Sequence, residues 1–197
     1  MTATTLTSEL EAVNIMLEAC DEAPVTSLVQ SGIYPLDRAK GILSETSRVV
    51  QSLGWKFNTE YEFPLTRDEA GAVALAPNAL RVDVDAKHTN VDPVQRGLRL
   101  YDSKAHSYAF TQDLTATVVF LLGWDELPQP ARHYINIRAA RTMQGRSSVS
   151  DSTYRYSADD EQAAFLALND HEAEVGDHNM LRDSWSVGSV VYGREMQ

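Results

Sequence analysis

The chain has 197 residues, 43% of them hydrophobic, which is enough for a packed core and too apolar for general disorder. Its formal charge of −11, from 28 acidic against 17 basic side chains, argues against a protein that grips nucleic acid by neutralising phosphates. There is no apolar run of about 18 residues to span a bilayer, and the start MTATTLTSELEA has neither the basic nor the apolar stretch of a secretion signal.

A first helix is predicted over 9–20. Ser8 and Glu11 have the spacing of a capping box, and Leu10, Val13, Leu17 and Cys20 recur at helical spacing. Cys20 is the single cysteine, so no intramolecular disulfide or one-chain thiolate cluster can form. It fits a reducing compartment and reads as a buried structural thiol. Ala23-Pro24 ends the helix, and 25–32 is a loop. A second helix is predicted over 35–53, with Pro35 in its first turn and Gly54 as its stop. Leu36, Leu43 and Val50 form one row and Ala39, Thr46 and Leu53 a second, together one apolar stripe.

From Trp55 the pattern changes to alternation. Trp55, Phe57, Thr59, Tyr61 and Phe63 share one face of a strand; Lys56, Asn58, Glu60 and Glu62 share the other. Residues 68–78 read as a surface loop. Leu80, Val82 and Val84 alternate with Arg81, Asp83 and Asp85 as a second strand, and 91–97 is a turn. Leu98 to Tyr101 and Tyr108 to Phe110 flank the polar turn 102–106 as a hairpin. The β-branched run 114–122 is a buried strand. Pro128 opens a third helix over 128–145, followed by the polar connector 147–152. Ser157 and Asp160 cap a fourth helix over 157–177, with Phe165, Leu168 and Val175 on its buried side. Residues 184–197 lose helical periodicity and read as an extended C-terminal arm. Two helices, a sheet region over 55–122, two more helices and an arm make an α+β fold. It is a bundle of about four helices with an inserted, mainly antiparallel sheet, and 1–183 form a single domain.

Reaction chemistry is sparse. The five histidines, His88, His106, His133, His171 and His178, form no HExxH. His171 and His178 lie seven apart among Glu172, Glu174 and Asp177, a cation-binding spacing that a solvated acidic helix explains better. Asp83/Asp85 and Asp125/Glu126 are candidate acid pairs, since glycoside hydrolysis needs two carboxylates about 5 to 9 Å apart. The simpler readings are solvated charge for the first pair and helix-start charge before Pro128 for the second. GxSxG, GxGxxG and GxxxxGK[ST] are absent. No catalytic, cofactor-binding or metal-ligating residue is assigned.

The charge pattern is more telling. Between 128 and 156 the basic residues Arg132, Arg138, Arg141, Arg146 and Arg155 face one acid, Asp151. Between 157 and 183 the acids Asp159, Asp160, Glu161, Asp170, Glu172, Glu174, Asp177 and Asp183 face Arg182 alone. Helices of opposite sign can pair within a chain or between copies arranged around an axis.

Several short blocks occur in a specific order. They are Ala12-Val13-Asn14 with Glu22-Ala23-Pro24-Val25, Gly54-Trp55 with Phe57-Asn58, Tyr101-Asp102, Asp125-Glu126-Leu127-Pro128 leading to Tyr134-Ile135, Ala139-Ala140-Arg141, and Asn179-Met180-Leu181. By these blocks the chain, over roughly residues 12–181, resembles the tail tubular protein A family, the head-to-tail adaptors of short-tailed bacteriophages. Residues 66–97 and the arm carry none of them. The resemblance implies a non-enzymatic virion protein of the tail, assembled in the host cytoplasm. It implies a ring of about twelve copies between the portal protein and the tail nozzle, tail tubular protein B, lining a channel through which DNA passes without specific binding. It implies no cofactor and no membrane. Arg132, Arg138, Arg141, Asp160, Glu161 and Glu172 are the expected lateral contacts between copies. Trp185, Val190, Val191 and Tyr192 of the arm are the expected dock for portal or nozzle. The alternative is a carbohydrate hydrolase acting on host-envelope glycans, using the acid pairs above and Trp55, Tyr61 and Trp124 to stack on sugars.

Overall fold

A computed structural model describes residues 6–29, 32–147 and 155–183, without the side chains of 176–183. The arm residues Trp185, Val190, Val191 and Tyr192 and the side chain of His178 therefore lie outside the described residues. The fold is α+β, with helices flanking an antiparallel sheet region. It divides into two compact units, one from Met1–Ser44 and Pro128–Gln197, the other from Glu45–Leu127.

The helical unit contains α1 (Glu9–Glu18), the start of α2 (Tyr34–Gln51), α3 (Gln129–Gly145) and α4 (Ala158–Asp183). The Ser8/Glu11 capping box forms as expected: the Ser8 hydroxyl accepts from the Glu11 N–H, and the Glu11 carboxylate accepts from the Ser8 N–H at 2.7 Å. Ser157 and Asp160 repeat the arrangement before α4. Each satisfies backbone donors that the first helical turn leaves without partners. α3 is buried on almost every side, with Ala131, Ile135, Ala139 and Ala140 inaccessible to solvent. It packs on both α1 and α4. Ala12, Val13, Met16 and Leu17 supply the α1 side, and Ala164 and Leu168 the α4 side. Tyr134 and Phe165 meet ring to ring at 5.2 Å across the α3–α4 seam. Val175, expected on the buried side of α4, is exposed. It lies beyond the last buried position, Leu168. On α2, Leu36, Leu43, Val50, Ala39 and Thr46 are buried, whereas Leu53 is exposed, because the helix ends at Gln51.

The second unit is built on a three-stranded antiparallel sheet of β1 (Thr59–Leu65), β2 (Ala79–Val84) and β5 (Leu114–Phe120), in the order β1-β5-β2. The central strand is the apolar run, as its burial on both sides demands. Leu65, Val73, Leu75, Leu100, Phe110, Leu114, Ala116 and Val118 form the core.

Three expectations fail here. Alternation does not run through 55–65. Residues 56–58 form a short 3-10 turn, and the β1–β5 register shifts between Glu60 and Phe63. Glu62 takes a positive φ of 52° at that bulge, and Tyr61 turns out to solvent. An extra residue in a strand re-aims every side chain beyond it. Residues 68–78 are no surface loop, since Val73 and Leu75 enter the core and bridges join Arg67 to Val73, Ala72 to Ala109 and Ala74 to Arg99. Finally, β4 (Arg99–Asp102) pairs with β3 (Pro93–Arg96), a segment expected to be a turn, rather than with 108–110. Gly97, with φ 60°, supplies the positive φ that a two-residue hairpin turn can require at its first central position.

Candidate functional site

The residues expected to make lateral contacts lie on α3 and α4. Arg132 is buried and donates to the Thr7 carbonyl at 2.8 Å. Its neighbour Gln129 accepts from the Thr7 N–H and donates to the Thr7 hydroxyl. Together they tie the segment before α1 to the start of α3, so the Arg132 charge works inside its own unit. Arg141 pairs directly with Glu161, and Arg138 approaches the same carboxylate at 3.9 Å while donating to the Tyr134 hydroxyl at 2.9 Å. One carboxylate on α4 thus gathers two arginines of α3. All three side chains are partly exposed, so the pairing steers more than it stabilises. Asp160 accepts from the Ser157 backbone and hydroxyl, and this holds its carboxyl below the usual carboxylate range. Glu172 is half-buried.

The candidate acid pairs sit elsewhere, in the second unit. Asp83 is exposed on β2. Asp85 accepts from the Thr115 hydroxyl and lies 3.3 Å from Lys87. The Thr115 bond, aided by Lys87 and His88, lowers its pKa. A carboxyl held ionised in this way is poorly suited to be a general acid. Glu126 accepts from the Gly123 N–H at 2.8 Å, shaping the short turn Trp124–Glu126 that leads through Leu127 and Pro128 into α3. Trp55 is buried, with its indole N–H donating to the Val50 carbonyl at 2.7 Å, so it is no exposed sugar platform. Among the described residues no group of three or more His, Cys, Asp or Glu is placed to hold a metal, and no helix is long and apolar enough to cross a membrane.

Three of the sequence blocks share a structural use. Asn14 clamps the backbone of Val25 at both ends: its side-chain amide donates to the Val25 carbonyl at 3.0 Å and accepts from the Val25 N–H at 2.8 Å. Asn58 accepts from the Trp55 N–H and donates to the carbonyls of Gln51 and Phe120. The buried Asp102 carboxylate accepts from the Asp92 and Lys104 N–H groups at 3.0 and 2.9 Å. Each ties down main chain at a helix end, a turn or a strand end. They position loops and strand ends; none of these contacts is arranged for chemistry.

Those bonds, the one from Asp92 foremost, lower the Asp102 pKa from its ordinary 3.8. A depressed carboxyl pKa contributes stability above the unfolded-state value and loses it as pH falls through the folded value. The Asp102→Asn variant is therefore less stable than the parent at pH 7, and the gap closes as the pH drops below the ordinary aspartate range of about 3.9. Urea titrations of both proteins across that range check this; a gap constant with pH would refute it.

One surface was missed in the sequence. On the outer face of the β3–β4 hairpin, Arg96 lies 3.6 Å over the Tyr101 ring and Arg99 4.7 Å from the Tyr108 ring centre. The two tyrosines meet edge to face at 4.9 Å. The available signal was strand-spaced Val94-x-Arg96 and Arg99-x-Tyr101 around Gly97-Leu98.

A family model described as tail tubular protein matches residues 10–178. No curated protein matches the chain.

Proposed function

Because the chain belongs to the tail tubular protein family, which makes it a structural protein of the bacteriophage tail, we propose that it is the head-to-tail adaptor of a short-tailed phage. About twelve copies form a ring between the portal protein and the tail nozzle and line the channel for the genome. Residues 1–183 form the ring-building domain, and the arm, through Trp185, Val190, Val191 and Tyr192, docks on portal or nozzle. The protein works by surface fit and has no enzymatic role.

The carrying observation is the family match over 10–178. Three features support the finer reading. The family-marking residues Asn14, Asn58 and Asp102 brace backbone, as a load-transmitting subunit requires. The Glu161 carboxylate and Arg138 and Arg141 on the adjoining helix keep charged groups of both signs partly exposed along the α3–α4 seam, where Asp160 and Glu172 add acid. Arg132 acts beneath that surface through Thr7. The net charge of −11 suits a channel wall that repels DNA and does not retain it.

The test is the virion. Particles assembled without this protein should package DNA yet fail to retain it, and should carry no nozzle. Genome retention with intact tails would refute the proposal.

A further inference from the structure

Two faces of this chain have no partner among the described residues and are opposite in charge. The first is the hairpin face. Arg96 and Arg99 stand directly opposite each other in the β3–β4 register, as do Val94 and Tyr101. Like charges directly opposite in a strand pair are destabilising. Neither guanidinium makes an ion pair among the described residues; both lie against tyrosine rings. Stacking on a ring leaves the in-plane N–H donors pointing outward, available to an oxyanion. Val94, Leu98 and Tyr108 are exposed beside them, at 38%, 51% and 37%. In a chain of charge −11 this is a positive, aromatic platform whose two arginines meet no carboxylate among the described residues.

The second face is the outer stripe of α4. Ala164 and Leu168 are buried, and on the opposite side of the helix Asp159, Ala163, Leu166, Asp170 and Glu174 are exposed. Their spacings of four, three, four and four residues form one stripe. Leu166, 52% exposed, sits at its middle with acids on either side. An apolar residue with carboxylates on either side faces a pair of adjacent arginines with Val94 and the tyrosines on one side and Leu98 on the other, so the two surfaces are opposite in charge and both carry apolar groups.

We propose that the β3–β4 hairpin of one copy docks across the outer stripe of α4 on a second copy. Arg96 and Arg99 pair with Asp159, Asp170 or Glu174, and Leu166 packs among Val94, Leu98 and the tyrosines. Each copy carries both faces, so the contact is head-to-tail, the kind that builds a ring where its rotation closes. The inference rests on the ring reading above and names the surfaces that close it.

Sedimentation velocity of the full-length chain over a concentration series, alone and with purified portal protein, reads the contact. R96E/R99E and D159K/D170K should each weaken self-association about a hundredfold or more, with circular dichroism unchanged. All four substitutions in one chain should restore association to within about tenfold of the parent. If both double variants associate like the parent while the parent forms rings, this docking is overturned and the ring reading stands. A parent chain that never self-associates under either condition overturns both. If R96E/R99E associates normally but loses retention of a short DNA duplex, the platform is a phosphate site and the inference is wrong.

Discussion

Replacing Asn58 with alanine is expected to lower the unfolding free energy by about 3–4 kcal/mol, since each buried group left without its partner costs about 1–3 kcal/mol. Asn58 is 3% exposed and joins three backbone groups: it accepts from Trp55 N–H at 2.8 Å and donates to Gln51 and Phe120 carbonyls at 2.9 and 2.8 Å. Gln51 extends the knot, donating to the Leu122 carbonyl and accepting from the Leu122 N–H. The end of α2, the turn at Trp55 and the end of β5 thus share one satisfied polar network in the Glu45–Leu127 unit. Partial relaxation keeps the loss below the sum of three full penalties. Against a typical total of about 5–15 kcal/mol, such a loss threatens folding at 37 °C. Asn58→Asp should be worse at neutral pH, because a carboxylate offers no proton to two carbonyls. Urea unfolding followed by tryptophan fluorescence reads the effect through Trp55. A loss under about 1 kcal/mol for the alanine variant would mean the network contributes no more than an ordinary exposed hydrogen bond.

The second large effect is expected at Gly71. It has φ 83°, and a Cβ there would sit 2.9 Å from the Phe110 carbonyl oxygen and 3.2 Å from the Phe110 nitrogen. Both are backbone atoms, and Phe110 N–H already donates to the Gly71 carbonyl at 2.8 Å. The left-handed conformation costs a non-glycine residue about 1–2 kcal/mol. The collision adds to this by pushing out a main-chain pair whose Phe110 side chain is 3% exposed in the core. Gly71→Ala should therefore destabilise by about 3 kcal/mol or more. Gly54 is the internal control. It too has a positive φ, 81°, but its nearest neighbour at 2.6 Å is the tip of the flexible Arg81 side chain, which can swing away. Gly54→Ala should thus cost clearly less than Gly71→Ala in parallel thermal melts; the reverse order would mean the Phe110 backbone yields more easily than its place in the core suggests.

The residues that made the family legible differ in what they reveal. Ser8 with Glu11, and Ser157 with Asp160, announce helix starts because both partners lie within one turn. Gly54 marks the end of α2, and the apolar run of β5 marks a strand covered on both faces, since an unbroken apolar run needs no knowledge of the partner. Asn14 and Asn58 could be read as members of a pattern but not as clamps. Their partners Val25 and Phe120 are 11 and 62 positions away.

Sequence by itself determined the α+β class, the four helices, the central strand and the family, all of which follow from short-range periodicity, capping and ordered blocks. Only the tertiary structure decided that β4 pairs with β3, that a bulge turns Tyr61 outward, that Val73 and Leu75 enter the core and that Arg132 is buried against Thr7. It alone brought Arg96, Arg99, Tyr101 and Tyr108 onto one face. The physical reason is one of range. A helix cap or an apolar period is set within a few residues, whereas strand partner, register and the neutralisation of a charge depend on which distant segment arrives first to satisfy a backbone or bury a side chain.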